Sequence, residues 1–115
     1  METRNRSNAE HYVWGDTCDG WRLLARPDLS VVLERVPPGR GEVRHYHERS
    51  RQLFYVLQGR LELESGPETL VLHAGDSLEV PPTQVHRVVN SDAHDALFLV
   101  ISAPTTQGDR VNLAD

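Results

Sequence analysis

Short apolar runs, many of them alternating with polar positions, follow one another along most of the chain. Residues 60–64, RLELE, alternate strictly between charged side chains and leucine, which is typical of a strand with one buried face. No window has an apolar period near 3.6 residues, so no amphipathic helix is predicted. The pattern predicts eight or nine strands in an all-β sandwich or jelly-roll barrel. The expected strands lie at 21–25, 29–36, 42–47, 51–58, 60–64, 69–73, 77–80, 84–90 and 96–102.

Length and composition favour a single globular domain, 1–115, with residues 1–12 expected to be flexible. Hydrophobic residues make up 38% of the chain, and its formal net charge is -5. A net negative chain argues against nucleic-acid or anionic-membrane partners. The sequence contains no long apolar run, and the expected location is the cytoplasm. Cys18, the single cysteine, excludes an internal disulfide and is expected to be inert.

Two histidines in one extended run are the first candidates for chemistry. His45 and His47 are separated by one residue, so on a strand their imidazoles project from the same face. Gln52 follows on the next strand, and His86 lies on a strand after a Pro-Pro bend. Three neutral nitrogens and an amide oxygen suit one divalent Zn, Ni, Co, Mn or Fe ion. Histidines that merely decorate a polar face are the alternative.

The spacing around these residues resembles the two motifs of the cupin superfamily. Residues 39–59 contain a glycine, five residues, His-Tyr-His, four residues, Gln52, six residues and a glycine. Residues 75–90 contain a glycine, five residues, Pro-Pro-Thr, two residues, His86, three residues and an asparagine. Gln52 replaces the glutamate of the first motif, and Thr83 replaces the second glycine of the second. The resemblance implies a double-stranded β-helix (jelly-roll) barrel with a metal on His45, His47, Gln52 and His86.

Gln52 also bears on the reaction. A neutral amide oxygen leaves the full +2 charge on the ion, which favours Lewis-acid activation of a small carbonyl or carboxylate substrate. We therefore expect a lyase, isomerase or cyclase. The alternatives are an Fe(II)-dependent dioxygenase, a non-catalytic sensor of a small molecule, and a zinc cupin that forms N–N bonds in hydrazine biosynthesis. Small cupins that linearise unsaturated uronates share the His-x-His, Gln, His set, but Val100 and Thr106 replace their acid and arginine, and Arg110 is the available substitute.

Further candidates line the expected pocket or an interface. Phe54 is predicted to form the wall above the metal. Arg35 ends a strand and would await a substrate carboxylate if its face points inward; a surface position is the alternative. The aromatic segment 11–21 is predicted to pack on, or exchange with, a second subunit in a homodimer.

Overall fold

The computed structural model describes residues 1–114, which form eleven β-strands. They are β1 (Glu10–Trp14), β2 (Cys18–Ala25), β3 (Ser30–Val36), β4 (His45–His47), β5 (Arg51–Gln58), β6 (Arg60–Ser65), β7 (Glu68–His73), β8 (Ser77–Val80), β9 (Arg87–Val89), β10 (Ala96–Ala103) and β11 (Arg110–Asn112). Within this described range, the chain has no helix that could cross a membrane.

Antiparallel pairing arranges the strands in three sheets. The largest has the order β1-β2-β3-β10-β5-β8, and the others have the orders β7-β6-β9 and β11-β4. Strands distant in sequence therefore become neighbours, as β10 does between β3 and β5. This is the all-β jelly-roll barrel that the sequence predicts.

The hydrophobic core lies between the sheets. On β5, Gln52, Phe54 and Val56 are buried while the residues between them are exposed, so one face of that strand points into the barrel. The buried apolar side chains form one cluster: Cys18, Val36, Phe54, Val56, Leu61, Leu63, Leu72, Val80, Val88, Ala96, Phe98 and Val100. The core fills one end of the barrel and leaves the other end to polar side chains.

Gly59 makes the turn between β5 and β6 possible. Its φ is +78°, in the left-handed region, and a Cβ there would overlap the carbonyl oxygen of Asp95. Only glycine meets both conditions without strain. The sequence predicts a positive φ at this position.

The N-terminal segment forms a strand earlier than expected. β1 begins at Glu10, within the stretch 1–12 that was predicted to be flexible, and it pairs with β2 of its own chain from Glu10↔Arg22 to Trp14↔Cys18. This pairing adds β1 to the edge of the large sheet and carries Tyr12 and Trp14 to the mouth of the barrel.

Candidate metal centre

Three histidines meet at the polar end of the barrel. His45 and His47 lie on β4, and His86 lies just before β9. The backbones of His45 and His86 exchange two hydrogen bonds, with N···O distances of 3.0 and 2.9 Å, which fix the two residues opposite each other. One nitrogen from each of the three rings lies within 4.8 Å of the others, and all three side chains are buried. The sequence prediction that these three histidines converge matches their placement.

Hydrogen bonds determine which ring nitrogen of each histidine is available. His45 Nδ1 lies 3.1 Å from the Val43 carbonyl oxygen, and His86 Nδ1 lies 2.9 Å from that of Gln84. A carbonyl only accepts, so both Nδ1 atoms carry the proton, an assignment that follows from their partners. The Nε2 lone pairs of these two rings are therefore available to bind a metal ion, as in metal sites whose histidines are oriented by a carbonyl.

The histidines are neutral at physiological pH. Burial is the main cause, and it lowers the pKa of His45 to about 3 and that of His47 to about 4. The neighbouring His86 lowers both values further, and burial also lowers the pKa of His86. A protonated imidazole cannot bind a metal, so these shifts keep the three rings competent as ligands.

Gln52 points into the same cavity from β5. Its Nε2 donates to Ser102 Oγ at 3.3 Å, so the amide is held by its nitrogen and its oxygen is free to act as a ligand. Three buried atoms have no hydrogen-bond partner in the described structure: Gln52 Oε1, His47 Nδ1 and His86 Nε2. Each such orphan costs about 1–3 kcal/mol. One divalent cation would bind all three, so the residues present fit a metal ion.

Asp109 supports the strand that carries two of the histidines. Its carboxylate accepts hydrogen bonds from the backbone N–H groups of Glu48, Arg49 and Ser50, the shortest at 2.8 Å. The backbone of Asp109 also hydrogen-bonds His47. The pairing of β11 with β4, which places Arg110 opposite His47, continues this support. Asp109 thus fixes the chain at the C-terminal end of the His-Tyr-His run.

The histidines open onto a cavity of about 210 Å³. Phe54 forms part of its wall, and its ring meets His86 edge-on with centroids 6.0 Å apart. Trp14 lines the cavity from β1, and its Nε1 donates to the Asp19 carbonyl at 2.9 Å. The other lining residues are Tyr12, Arg22, Ser30, Val32, Glu34, Glu42, His45, His47, Gln52, Val100, Ser102, Thr106 and Arg110.

Two buried carboxyl groups face this cavity. Burial raises the pKa of Glu34 to about 8 and that of Glu42 to about 7. The Glu42 side chain is 5% exposed and both its oxygens are bonded: Arg110 donates to Oε1 at 3.1 Å and the Val88 N–H to Oε2 at 3.1 Å. Glu42 Oε1 also lies 3.7 Å from His45 Nδ1. Arg110, the sequence candidate for this space, therefore reaches the cavity and binds a carboxylate there.

Arg35 does not reach the cavity. On β3 the inward residues are Ser30, Val32 and Glu34, so Arg35 points to the outer face of the sheet. There its Nε lies 2.8 Å from Asp19, and its Nη1 lies 2.8 Å from Asp95. The expectation of an unpaired arginine inside the barrel is corrected: the side chain is a surface cation with two carboxylate partners.

The residues that sequence reasoning missed are Tyr12, Glu34 and Glu42. A single acidic residue in an apolar strand, such as Glu34 in SVVLERV, is a usable signal, because an acid at a buried position is rarely structural. Tyr12 lies in the aromatic segment 11–21, which the sequence assigns to a subunit interface, so its place in the cavity is not predicted.

This small β-barrel carries three neutral histidines and a glutamine at one end, and the three histidines could hold a metal ion. The sequence profile of the cupin domain matches residues 32–102, and the chain belongs to this family. Over 74 residues it is 38% identical to quercetin 2,3-dioxygenase of Bacillus subtilis, covering 64% of this chain and 22% of the dioxygenase.

Solved structures support the fold over nearly the whole chain. KdgF from Halomonas sp. superimposes with a TM-score of 0.82 at 24% identity, covering 93% of this chain and 98% of KdgF. The polyketide cyclase RemF from Streptomyces resistomycificus gives a TM-score of 0.84 at 18% identity, covering 100% of this chain and 87% of RemF. By contrast, the chain spans less than half the length of the first two curated relatives that it matches.

Proposed function

We propose that the protein is a metal-dependent enzyme that activates the carbonyl group of a small polar molecule by Lewis-acid catalysis. The reaction would be of the lyase, isomerase or cyclase type. The proposed ligands of one divalent ion are His45, His47, Gln52 and His86. The observation that carries the proposal is the buried Gln52 Oε1, which lacks a partner beside two equally unpartnered histidine nitrogens.

The donor set favours this chemistry over others. Three imidazoles and an amide oxygen are all neutral, so a bound ion would keep its +2 charge. When bound, such an ion would supply a Lewis acid that polarises a carbonyl oxygen. The resemblance in fold to a polyketide cyclase is consistent with this reaction type.

The chain's own residues would shape the reaction space. Phe54 and Trp14 wall the cavity with aromatic surface, which excludes bulk water and strengthens electrostatic interactions inside. Ser102 holds the Gln52 amide by its nitrogen, and Asp109 holds the His-Tyr-His strand. The cavity volume corresponds to about seven water molecules at ~30 Å³ each, so the substrate must be small or only partly enclosed.

Metal content tests the site directly. The purified protein should contain about one equivalent of a divalent metal by elemental analysis. His47→Ala and His86→Ala should each lose most of it, because each removes one of three buried nitrogen donors. His94→Ala is the matched control, since His94 is exposed and lies outside the cluster. Full metal content in both cavity variants would contradict the proposed site.

A second candidate is an Fe(II)-dependent dioxygenase that uses the three histidines. It is favoured by the 38% identity to a quercetin 2,3-dioxygenase, although that match covers 22% of the relative. Iron-loaded protein that consumes oxygen with a flavonol, while the His86→Ala variant does not, would favour this candidate over Lewis-acid catalysis.

We further propose that the protein is a homodimer. The outer face of the large sheet carries apolar side chains in adjacent strands, including Leu53, Tyr55 and Leu57 of β5, which are 36%, 38% and 40% exposed. Leu33 and Leu99 stand beside Tyr55 in the same cross-strand row. A contiguous apolar sheet face of this kind is typical of homodimer interfaces. Tyr55→Arg should shift the mass measured by light scattering towards that of a monomer.

A further inference from the structure

Tyr12, Gly20 and Glu34 form a cross-strand row on three neighbouring strands, and the two side chains of this row line the cavity. Tyr12 on β1 pairs with Gly20 on β2, and Gly20 pairs with Glu34 on β3. A Cβ on Gly20 would overlap the Tyr12 ring. Because Gly20 has no side chain, the tyrosine lies across β2 and donates from its hydroxyl to Glu34 Oε2 at 3.3 Å.

Glu34 differs from Glu42, its neighbour in the cavity, in how it is held. Both Glu42 oxygens are bonded to protein donors, Arg110 and the Val88 N–H. The hydrogen bond described for Glu34 is the single one from Tyr12. Glu34 is enclosed by protein but faces the same cavity as His45, His47 and Gln52. A carboxyl group held at one oxygen and open to a cavity at the other is able to exchange a proton with a bound molecule.

We propose that Glu34, positioned by Tyr12, is the catalytic group that exchanges a proton with a neutral carbonyl compound bound between it and the histidines. The proposal rests on the function proposed above. The substrate class is a small uncharged molecule with a C–H bond next to its carbonyl group.

The proton transfer is balanced without an external reagent. The Glu34 carboxylate takes the proton of the C–H bond, and the electron pair of that bond moves to the carbonyl oxygen to give an enolate. Return of the proton from the Glu34 carboxyl to the same carbon completes hydrogen exchange, and its transfer to the carbonyl oxygen gives the enol isomer. In an elimination, the carbonyl re-forms, the electron pair of the enolate forms a double bond to the next carbon, and the leaving group on that carbon departs with its bonding pair and takes the proton from Glu34. No electron is gained or lost overall.

The protein's own charged side chains around the cavity favour an uncharged substrate. Two arginines are among its described lining residues, and both are engaged. Arg110 bonds Glu42, while Arg22 binds Glu10 and lies over the Tyr12 ring at 4.0 Å from its centroid. A substrate carboxylate would compete with these contacts and would face two acidic side chains. The sequence expectation of a carbonyl or carboxylate substrate is thereby narrowed to the carbonyl.

The titration of Glu34 is consistent with this role. Burial and the nearby Glu42 together raise its pKa to about 8, against the smaller opposing effects of the Tyr12 hydrogen bond and Arg110. General acid–base catalysis is most efficient when the pKa of the group lies near the operating pH. An ordinary surface glutamate, with a pKa near 4.3, would be a weak base at pH 7.

Deuterium exchange tests the proposal. Zinc-loaded protein is incubated in D₂O with hydroxyacetone, a neutral probe, or with pyruvate, an anionic one, and loss of the carbon-bound proton signal is followed by NMR. Wild type should accelerate exchange into hydroxyacetone more than into pyruvate. Glu34→Gln should lower the rate by about 100-fold or more. Tyr12→Phe should shift the pH profile of exchange, because the residue acts through Glu34.

Zinc content and infrared spectra separate the failure of this proposal from failure of the proposed function. Glu34→Gln should retain zinc, because Glu34 is not a ligand. In metal-free protein at pH 6, the protonated-carboxyl band should be weaker in Glu34→Gln than in wild type and unchanged in Glu79→Gln, an exposed control on β8. Equal exchange by wild type and Glu34→Gln, no exchange by zinc-loaded wild type, or identical infrared bands would each overturn the role of Glu34. A wild-type protein that binds no zinc would instead contradict the metal-dependent function.

Discussion

Asp109 stabilises the polar end of the barrel through three backbone hydrogen bonds. It is 4% exposed, and it accepts from the N–H groups of Glu48, Arg49 and Ser50. Burial alone would raise the pKa of Asp109, but these three donors outweigh it and hold the pKa below its usual value. The charged form of Asp109 is therefore more stable in the folded chain than in the unfolded one.

Replacing Asp109 by asparagine should destabilise the fold by about 3 kcal/mol. The change turns one acceptor oxygen into a donor that faces backbone N–H groups, and hydrogen bonds to charged groups contribute about 1.5–3 kcal/mol each. The loss is a large fraction of a total stability that is typically about 5–15 kcal/mol. At about 4 °C per kcal/mol for a chain of this size, the melting temperature should fall by roughly 10 °C. His47 directly precedes Glu48, which Asp109 binds, so the affinity of the proposed metal site should fall as well.

Urea unfolding of metal-free protein at pH 7 measures the loss of stability, with Asp28→Asn as an exposed control expected to stay within about 0.5 kcal/mol of wild type. The pH dependence adds a second check. A lowered pKa contributes stability above the unfolded value near 3.9, and this contribution is lost as the pH falls through the folded value. The difference between wild type and Asp109→Asn should therefore shrink below about pH 4. A loss under about 1 kcal/mol at pH 7 would refute the reasoning.

Three further predictions concern the backbone and the core. Gly59→Ala should cost about 2 kcal/mol or more in urea unfolding, because it combines a left-handed φ with a clash against Asp95; a cost under 1 kcal/mol would contradict the clash. Thr83 has a φ of +71°, which is unfavourable for a β-branched residue. Thr83→Gly should therefore raise the free energy of unfolding by about 1 kcal/mol, and the N–H of residue 83 should still donate to the His47 carbonyl. A lower free energy of unfolding would show that the position is not strained. Burial raises the pKa of the Cys18 thiol to about 12, so at pH 8 only ~10⁻⁴ of it is thiolate and iodoacetamide should label it only after unfolding; rapid labelling of native protein would contradict its burial.

The strands and the shared face of His45 and His47 could be predicted from sequence, because each depends on a short-range rule. Alternation on β5 and β6 fixes which residues point inward, and the His-x-His spacing on β4 places two imidazoles on one face. His86 lies far from this pair in sequence, and its place beside them was predicted from the spacing of the two cupin motifs.

The sequence does not show which face of β3 points into the barrel. Both of its faces are apolar: Val32 lies inward, while Leu33 lies on the outer face of the sheet. Alternation then shows that a strand exists but not which side is inside, so the sequence leaves Arg35 either in the cavity or on the surface. The structure places Arg35 on the surface and Glu34 in the cavity. The distinction depends on the partners Asp19 and Asp95, which come from other parts of the chain.

Gln52 on β5 and Glu34 on β3 lie on the inner face of the same sheet and line the same cavity, so their proposed roles can be tested together. The family motif places a carboxylate at position 52. There it would bind the ion and reduce its effective charge, and it could not also exchange a proton. In the proposed site the neutral amide would leave the ion its charge, and the acidic function would lie on Glu34, which lines the same cavity and is not among the proposed ligands. Gln52→Glu should then bind metal more tightly than wild type in competition with a chelator, yet exchange deuterium into hydroxyacetone more slowly, since a less positive ion polarises a carbonyl less. Faster exchange in Gln52→Glu would show that the neutral amide is not what separates the two functions.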